Sequence, residues 1–244
     1  MRSVVFFALI LIGGYASWIK VRGLRISHDS YIGWEGFVKS KNFRDVGKSF
    51  DLCYGDELFH NGMLTRSNAW FSGWDCSAVE SPDAIFTLNF NPQKPYVYFC
   101  QGDKGPVVGQ HFLQTKELAD LEFLETWDDP ESRGVACRFL TEIMTSVVDR
   151  KRTLLHCDAG RDRTGALSGI LLAMTLEPLD EKKIAAIECD YRQSHSLKPY
   201  KYGRLQNFFE SIKKHHVSVS AWAKKTCEID PNLLELFKKT WRNN

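Results

Sequence analysis

The chain has 244 residues, 43% of them hydrophobic and 25% charged, with a net charge of +2. That composition suits a single folded domain with at most a small appendage, and it excludes a disordered or low-complexity chain. So small a charge excess gives no global field that selects nucleic acid.

Ser3 to Ile19 runs without a charged residue, between Arg2 and the basic group Lys20, Arg22 and Arg25. The run is short for a membrane-spanning helix, and its apolar stretch Val4 to Ile12 also suits a signal peptide. Residues 1–25 are therefore expected to be a single-pass anchor, inserting through residues 3–19, or an export signal that is cleaved. A domain over 26–244 follows. The basic flanks are nearly balanced, so the positive-inside rule leans only slightly to a cytoplasmic C-terminus and leaves the side of the membrane undecided.

His28 to Phe50 reads as turn-like, with the charged loop Lys41 to Gly47 inside it. Ala84 to Leu88 and Tyr96 to Cys100 are β-branched or aromatic runs bounded by Pro, Asn and Gly, and read as buried strands. Ala136, Phe139, Leu140, Ile143, Met144, Val147 and Val148 recur at helical spacing, which predicts an amphipathic helix. Arg152 to His156 is a further strand. Thr164 to Leu176 is apolar on most sides and predicts a buried helix. More helices are expected over Glu181–Glu188, Gly203–Lys214 and Asn232–Trp241, with the late lysines on their wet faces. Strands alternating with helices imply an α/β fold around a largely parallel central sheet flanked by helices.

Seven cysteines are present, none in a C-x-x-C pair, and no His/Cys group has zinc spacing. No metal site is expected. In a reducing compartment the thiols are free; in an exported domain those other than Cys157 could pair, in a connectivity the sequence leaves open.

The chemistry concentrates in His156-Cys157-Asp158-Ala159-Gly160-Arg161-Asp162-Arg163-Thr164-Gly165. A strand runs into a tight loop and then into a helix start, so loop amides and the helix N-terminus converge on one point and favour an anion there. A cysteine at the mouth of such a cradle is placed to act as a nucleophile. Arg163 can offer a planar fork to two oxygens of a phosphoryl group. A nucleotide-binding loop is excluded, because Ala166 and Leu167 stand where its lysine and hydroxyl belong.

This loop resembles the signature of the cysteine-based protein tyrosine phosphatases, including dual-specificity and phosphoinositide members. Its Cys-x-Ala-Gly-Arg-Asp-Arg-Thr-Gly form, with Asn42-Phe43-Arg44-Asp45-x-Gly47 upstream, is similar to a bacterial and lower-eukaryote branch of that superfamily. Gly62-x-Leu64-x-Arg66-Ser67 and Asp190-Tyr191-x-x-Ser194 resemble two further elements of the branch. Thr87-Leu88-Asn89 departs from it where a D-L-R element is usual. The likeness spans about Asn42 to Ser194.

The resemblance implies hydrolysis through a phosphocysteine, without metal or cofactor. Cys157 would be the nucleophile. Arg163 and the amides of Asp158, Ala159, Gly160, Arg161, Asp162 and Arg163 would hold the phosphoryl oxygens. Thr164 would assist departure of the sulfur. His156, Asn42 and Asp45 would support the loop, and Arg44 would stand on the substrate side. The general acid is expected to be Asp162, with Asp129 or Asp128, in Thr126-Trp127-Asp128-Asp129-Pro130, as the alternative. Substrates would be phosphotyrosine or dual-specificity phosphoproteins, or else phosphoinositides. A non-catalytic phosphate-binding module tethered to a membrane is the rival of another class.

Overall fold

The computed structural model describes residues 41–71, 74–88, 100–102, 105–106, 110–112 and 130–243. From Lys41 onward the chain forms one compact unit. The N-terminal apolar run, the boundary placed at residue 26, and Asp128 and Asp129 all lie outside the described residues. No helix among the described residues is long and apolar enough to cross a membrane.

The first strand, β1 (Arg44–Asp45), leads directly into helix α1 (Val46–Tyr54). The expectation of an irregular loop here fails. Asp45 accepts a hydrogen bond from Lys48 N and caps the helix start, while Gly55, at φ 93°, closes its end in the left-handed conformation. Strand β2 (Leu64–Ser67), the short β3 (Trp74–Asp75), β4 (Ala84–Thr87), β5 (Cys100–Gly102), β6 (Gly105–Pro106) and β7 (Gln110–Phe112) follow. Helix α2 (Pro130–Val148) begins earlier than its apolar periodicity indicates, with Pro at its first position. Strand β8 (Thr153–His156) and helices α3 (Asp162–Thr175), α4 (Glu181–Arg192), α5 (Arg204–His215), α6 (Val219–Thr226) and α7 (Pro231–Trp241) complete the chain. Helix α6 was not anticipated in the sequence; Ser218 caps it by accepting from Ala221 N.

The main sheet has the order β1-β2-β8-β4-β7. β2, β8, β4 and β7 are mutually parallel, and only the edge strand β1 is antiparallel. The sheet is therefore mixed, although parallel pairing dominates as expected. β3, β5 and β6 form a separate small sheet. Cys100, the end of a run read as a buried strand, belongs to that second sheet.

Strands β2, β4 and β8 are buried at every position. That is the pattern of a parallel sheet covered on both faces. Every residue of α3 except Arg163 is buried, which fits its lack of a polar stripe. Phe59, Phe237 and Trp241 close the core beside α7, and Phe59 pairs with Arg242 across an isolated bridge.

Candidate active site

β8 is the middle strand of the sheet, and Cys157 follows its last residue. The loop 157–161 therefore sits at the carboxyl end of the central strand, the usual ligand position of an open α/β sheet. Cys157 is 2% exposed and is the single free cysteine.

Four consecutive loop carbonyls are held by donors from outside the loop. Asp158 O accepts from Ala69 N at 3.0 Å, and Ala159 O from Asn42 Nδ2 at 2.8 Å. Gly160 O accepts from the Arg66 guanidinium at 3.0 Å. Arg161 O accepts from the same guanidinium at 3.3 Å and from Gly165 N at 2.9 Å. In a trans peptide the N–H points opposite to the preceding C=O. Anchoring these carbonyls outward turns the amides of Ala159, Gly160, Arg161 and Asp162 toward the interior of the loop. This is the anion cradle, now built from named bonds. The N-terminus of α3 adds its positive end to the same place.

Gly160 is needed for this path. Its φ is +64°, and a Cβ there would lie 2.3 Å from Ser67 O and 2.5 Å from Asn68 N. No side chain fits against the end of β2. Gly165 is equally confined, because a Cβ would meet the Tyr191 ring at 2.5 Å.

Behind the loop lies a buried ion network that joins the upstream motifs. Arg66 is fully buried, and its Nη1 donates to Asp190 Oδ2 at 2.8 Å. Arg44 Nε donates to Asp190 Oδ1 at 2.7 Å, and its Nη2 to Asp190 O at 2.7 Å. Ser49 Oγ donates to Asp190 Oδ1 at 2.7 Å, and Ser194 Oγ accepts from both arginines. Burial alone raises the Asp190 carboxyl, but the Arg44 and Arg66 guanidiniums outweigh it and hold the carboxyl below its ordinary range. Burial and the neighbouring Arg44 lower Arg66 to about 10, which leaves it charged at neutral pH. The expected substrate-side role of Arg44 gives way here to a structural one, since its guanidinium is committed to Asp190 and Ser194.

Asn42 works from both ends. It donates to Ala159 O and accepts from His195 N at 2.6 Å, tying the loop to the segment after α4. Asp45 supports at one remove: it caps α1 and accepts from Gly62 N at 2.6 Å. Burial raises its carboxyl to about 6 against those two donors.

Arg163 donates from Nη1 to Leu88 O, at the end of β4. That bond fixes the guanidinium by one nitrogen and leaves its remaining donors for phosphoryl oxygens. His156 bonds Thr87 Oγ1 through Nε2 at 2.9 Å. Burial lowers its pKa to about 3, with a smaller contribution from the Arg163 charge, so it is neutral and acts as a support rather than a cation. Thr164 is fully buried in the first turn of α3, and its hydroxyl has no hydrogen-bond partner among the described residues.

Asp162 is the main revision. Lys201 Nζ donates to its Oδ1 at 2.6 Å and Arg161 Nε to its Oδ2 at 2.9 Å. Burial pushes this carboxyl up, but these two cations prevail and hold it below the ordinary range. A general acid must carry a proton to deliver. Asp162, ionised and engaged at both oxygens, is built as a brace, and the expectation that it supplies the proton loses its support.

Sequence reasoning missed Lys201 as the partner of Asp162, Leu88 as the anchor of Arg163, and Ala69 as a donor to the loop. Arg66, Asp190 and Ser194 stood in the quoted motifs without a role. Backbone partners such as Leu88 O and Ala69 N leave no trace in residue identity, so no sequence signal could have found them.

The family model described as a tyrosine phosphatase family matches residues 125–243. Residues 125–243 are thus similar to that family. The matched segment holds the entire loop, which supports the cysteine-based phosphatase superfamily and phosphatase activity in general. The described unit reaches further upstream than the match: Asn42, Arg44 and Arg66 clasp the loop directly or through Asp190. No curated protein matches the chain.

Proposed function

We propose that this protein hydrolyses phosphomonoesters through a phosphocysteine on Cys157, with phosphotyrosine or dual-specificity protein substrates. The observation that carries the reading is the outward anchoring of four loop carbonyls, which aims the loop amides at one point beside Cys157.

In the reaction, the Cys157 thiolate attacks phosphorus in line with the ester oxygen. Charge on the three equatorial oxygens is met by the inward amides, the Arg163 fork and the α3 dipole. A carboxylic acid donates a proton to the departing oxygen. Asp129 or Asp128 is the better assignment for that acid, because Asp162 is ionised and bonded on both sides. Water then attacks the phosphocysteine, the same carboxylate accepts its proton, and the Thr164 hydroxyl donates to the departing sulfur.

Phosphoinositides fit less well. Two basic residues that could greet a polyanionic headgroup are already engaged: Lys201 with Asp162, and Arg192 with Glu188 and the Tyr202 ring.

The test is turnover of para-nitrophenyl phosphate by wild type and Cys157→Ser, followed by a panel of phosphotyrosine peptides, phosphothreonine peptides and phosphoinositides. Vanadate-sensitive turnover that vanishes in Cys157→Ser is expected. Phosphate binding with no Cys157-dependent turnover would support the non-catalytic module instead.

A further inference from the structure

Of the seven cysteines, six are joined in three disulfides, and the one left free is the proposed nucleophile. Cys53 of α1 bonds Cys189 of α4, with Cα atoms 6.0 Å apart. Cys76 bonds Cys100, beside and within the small sheet, at 5.0 Å. Cys137 of α2 bonds Cys227, the residue that ends α6, at 4.9 Å. All three separations lie in the range a bridge requires. Two of the bridges join residues 136 and 90 positions apart, so they are products of the tertiary fold rather than of local sequence.

Random placement of seven cysteines does not bring six into bonding pairs and leave aside the one that needs to be reduced. Disulfides persist in oxidising compartments and are rare where glutathione and thioredoxin keep thiols reduced. We propose that this domain folds and works in an oxidising compartment, on phosphomonoesters exposed outside the cytosol. The proposal rests on the phosphatase reading for its substrate chemistry. It reverses the slight lean to a cytoplasmic C-terminus, and it gives the N-terminal apolar run the task of export.

The chemistry balances with an external acceptor. Each bridge forms as two thiols lose two protons and two electrons, and the electrons pass by thiol–disulfide exchange to a disulfide-carrying oxidase of the compartment. Cys157 survives the same conditions because exchange needs an accessible sulfur. At 2% exposure it is sheltered, whereas Cys53 and Cys189 are only half-buried.

The Cys53–Cys189 bridge also touches the active loop's support. Gln193 donates to Cys53 Sγ at 3.1 Å, and Ser49 bonds both Gln193 and Asp190. Cys189 immediately precedes Asp190, the carboxylate that holds Arg66 against Gly160 O. Oxidation thus locks α1 to α4 at the base of the cradle.

The test is a thiol count on the full chain expressed in cells with its own N-terminal segment. Cells are quenched in acid, the protein is denatured, and thiols are alkylated before and after reduction and located by peptide mass spectrometry. The expected result is one labelled cysteine, Cys157, without reductant and all seven with it. The chain should also fractionate with secreted or lumenal marker proteins. Labelling of all seven without reductant overturns the proposal, and so does recovery of the chain with cytosolic markers alone. The count does not depend on activity. An oxidised, exported chain that lacks Cys157-dependent turnover would therefore defeat the phosphatase reading and leave the compartment standing.

Discussion

At the scale of single residues, the loop separates residues that react from residues that hold. Asp162 has the sequence position of an acid and the surroundings of a brace. Asp162→Asn should therefore slow poor-leaving-group and activated aryl esters to a similar degree, and should lower thermal stability. Asp129→Asn or Asp128→Asn should instead slow the poor-leaving-group ester by about 100-fold or more while sparing the activated one. Steady-state kinetics on the two ester classes distinguish these patterns. The opposite assignment would return Asp162 to the role of acid. Gly160→Ala should cost at least roughly 2 kcal/mol, since it adds a clash with the end of β2 to a strained backbone angle. Chemical denaturation measures that loss. The signature residues were readable from the sequence because loop chemistry restricts identity at each position. The state of Asp162 was not, because Lys201 lies far along the chain and its salt bridge is a product of folding.

Among the elements, α4 does most to position the site. Its residue Asp190 receives Arg44 from β1, Arg66 from β2 and Ser49 from α1. At its other face, Glu188 accepts from Gly203 N, Leu205 N and Gln206 N, serving the α5 start that its glycine cap cannot serve. Asp190→Asn leaves two guanidiniums with a weakened partner in a buried site, and should cost about 3 kcal/mol or more. Its effect on activity should exceed its effect on substrate affinity, since the Gly160 carbonyl loses its held anchor. Comparing kcat and KM on para-nitrophenyl phosphate checks this, with thermal melts to confirm folding. The periodic helices α2 and α7 and the apolar helix α3 were legible in the sequence. The segment giving β1 and α1 was not, because its polar composition resembles a loop until Arg44, Ser49 and Asp45 find their partners.

For the whole molecule, acid sensitivity follows from the buried groups. His156 falls from an ordinary 6.5 to about 3 in the fold. Its contribution is complete above pH 6.5, and is lost as pH falls from there toward 3. The full loss amounts to roughly 5 kcal/mol. Asp45 acts in the other direction. Its raised carboxyl, at about 6, makes a contribution present below its ordinary 3.8 that is lost as pH rises through 6. The wild-type profile alone therefore mixes two signs. The stability advantage of wild type over His156→Gln should shrink between pH 7 and 4, and the deficit of Asp45→Asn should grow over the same interval. Denaturant midpoints across pH read both. The Cys137–Cys227 bridge, closing 90 positions of chain, should contribute about 4 kcal/mol, seen as a lower melting temperature in Cys137→Ala with Cys227→Ala. Fold class was accessible from alternating strand and helix patterns. Disulfide connectivity required the three-dimensional fold, because it depends on which helices become neighbours.

The central claim is that Cys157 carries the phosphoryl group between the two half-reactions. Acid quenching of the enzyme during turnover of para-nitrophenyl phosphate, with peptide mass spectrometry, tests it directly. The peptide containing Cys157 should gain the mass of one PO3 group, and the same peptide from Cys157→Ser should gain none under equal conditions. Full turnover with no phosphate on Cys157, or turnover that persists in Cys157→Ser, would contradict the account.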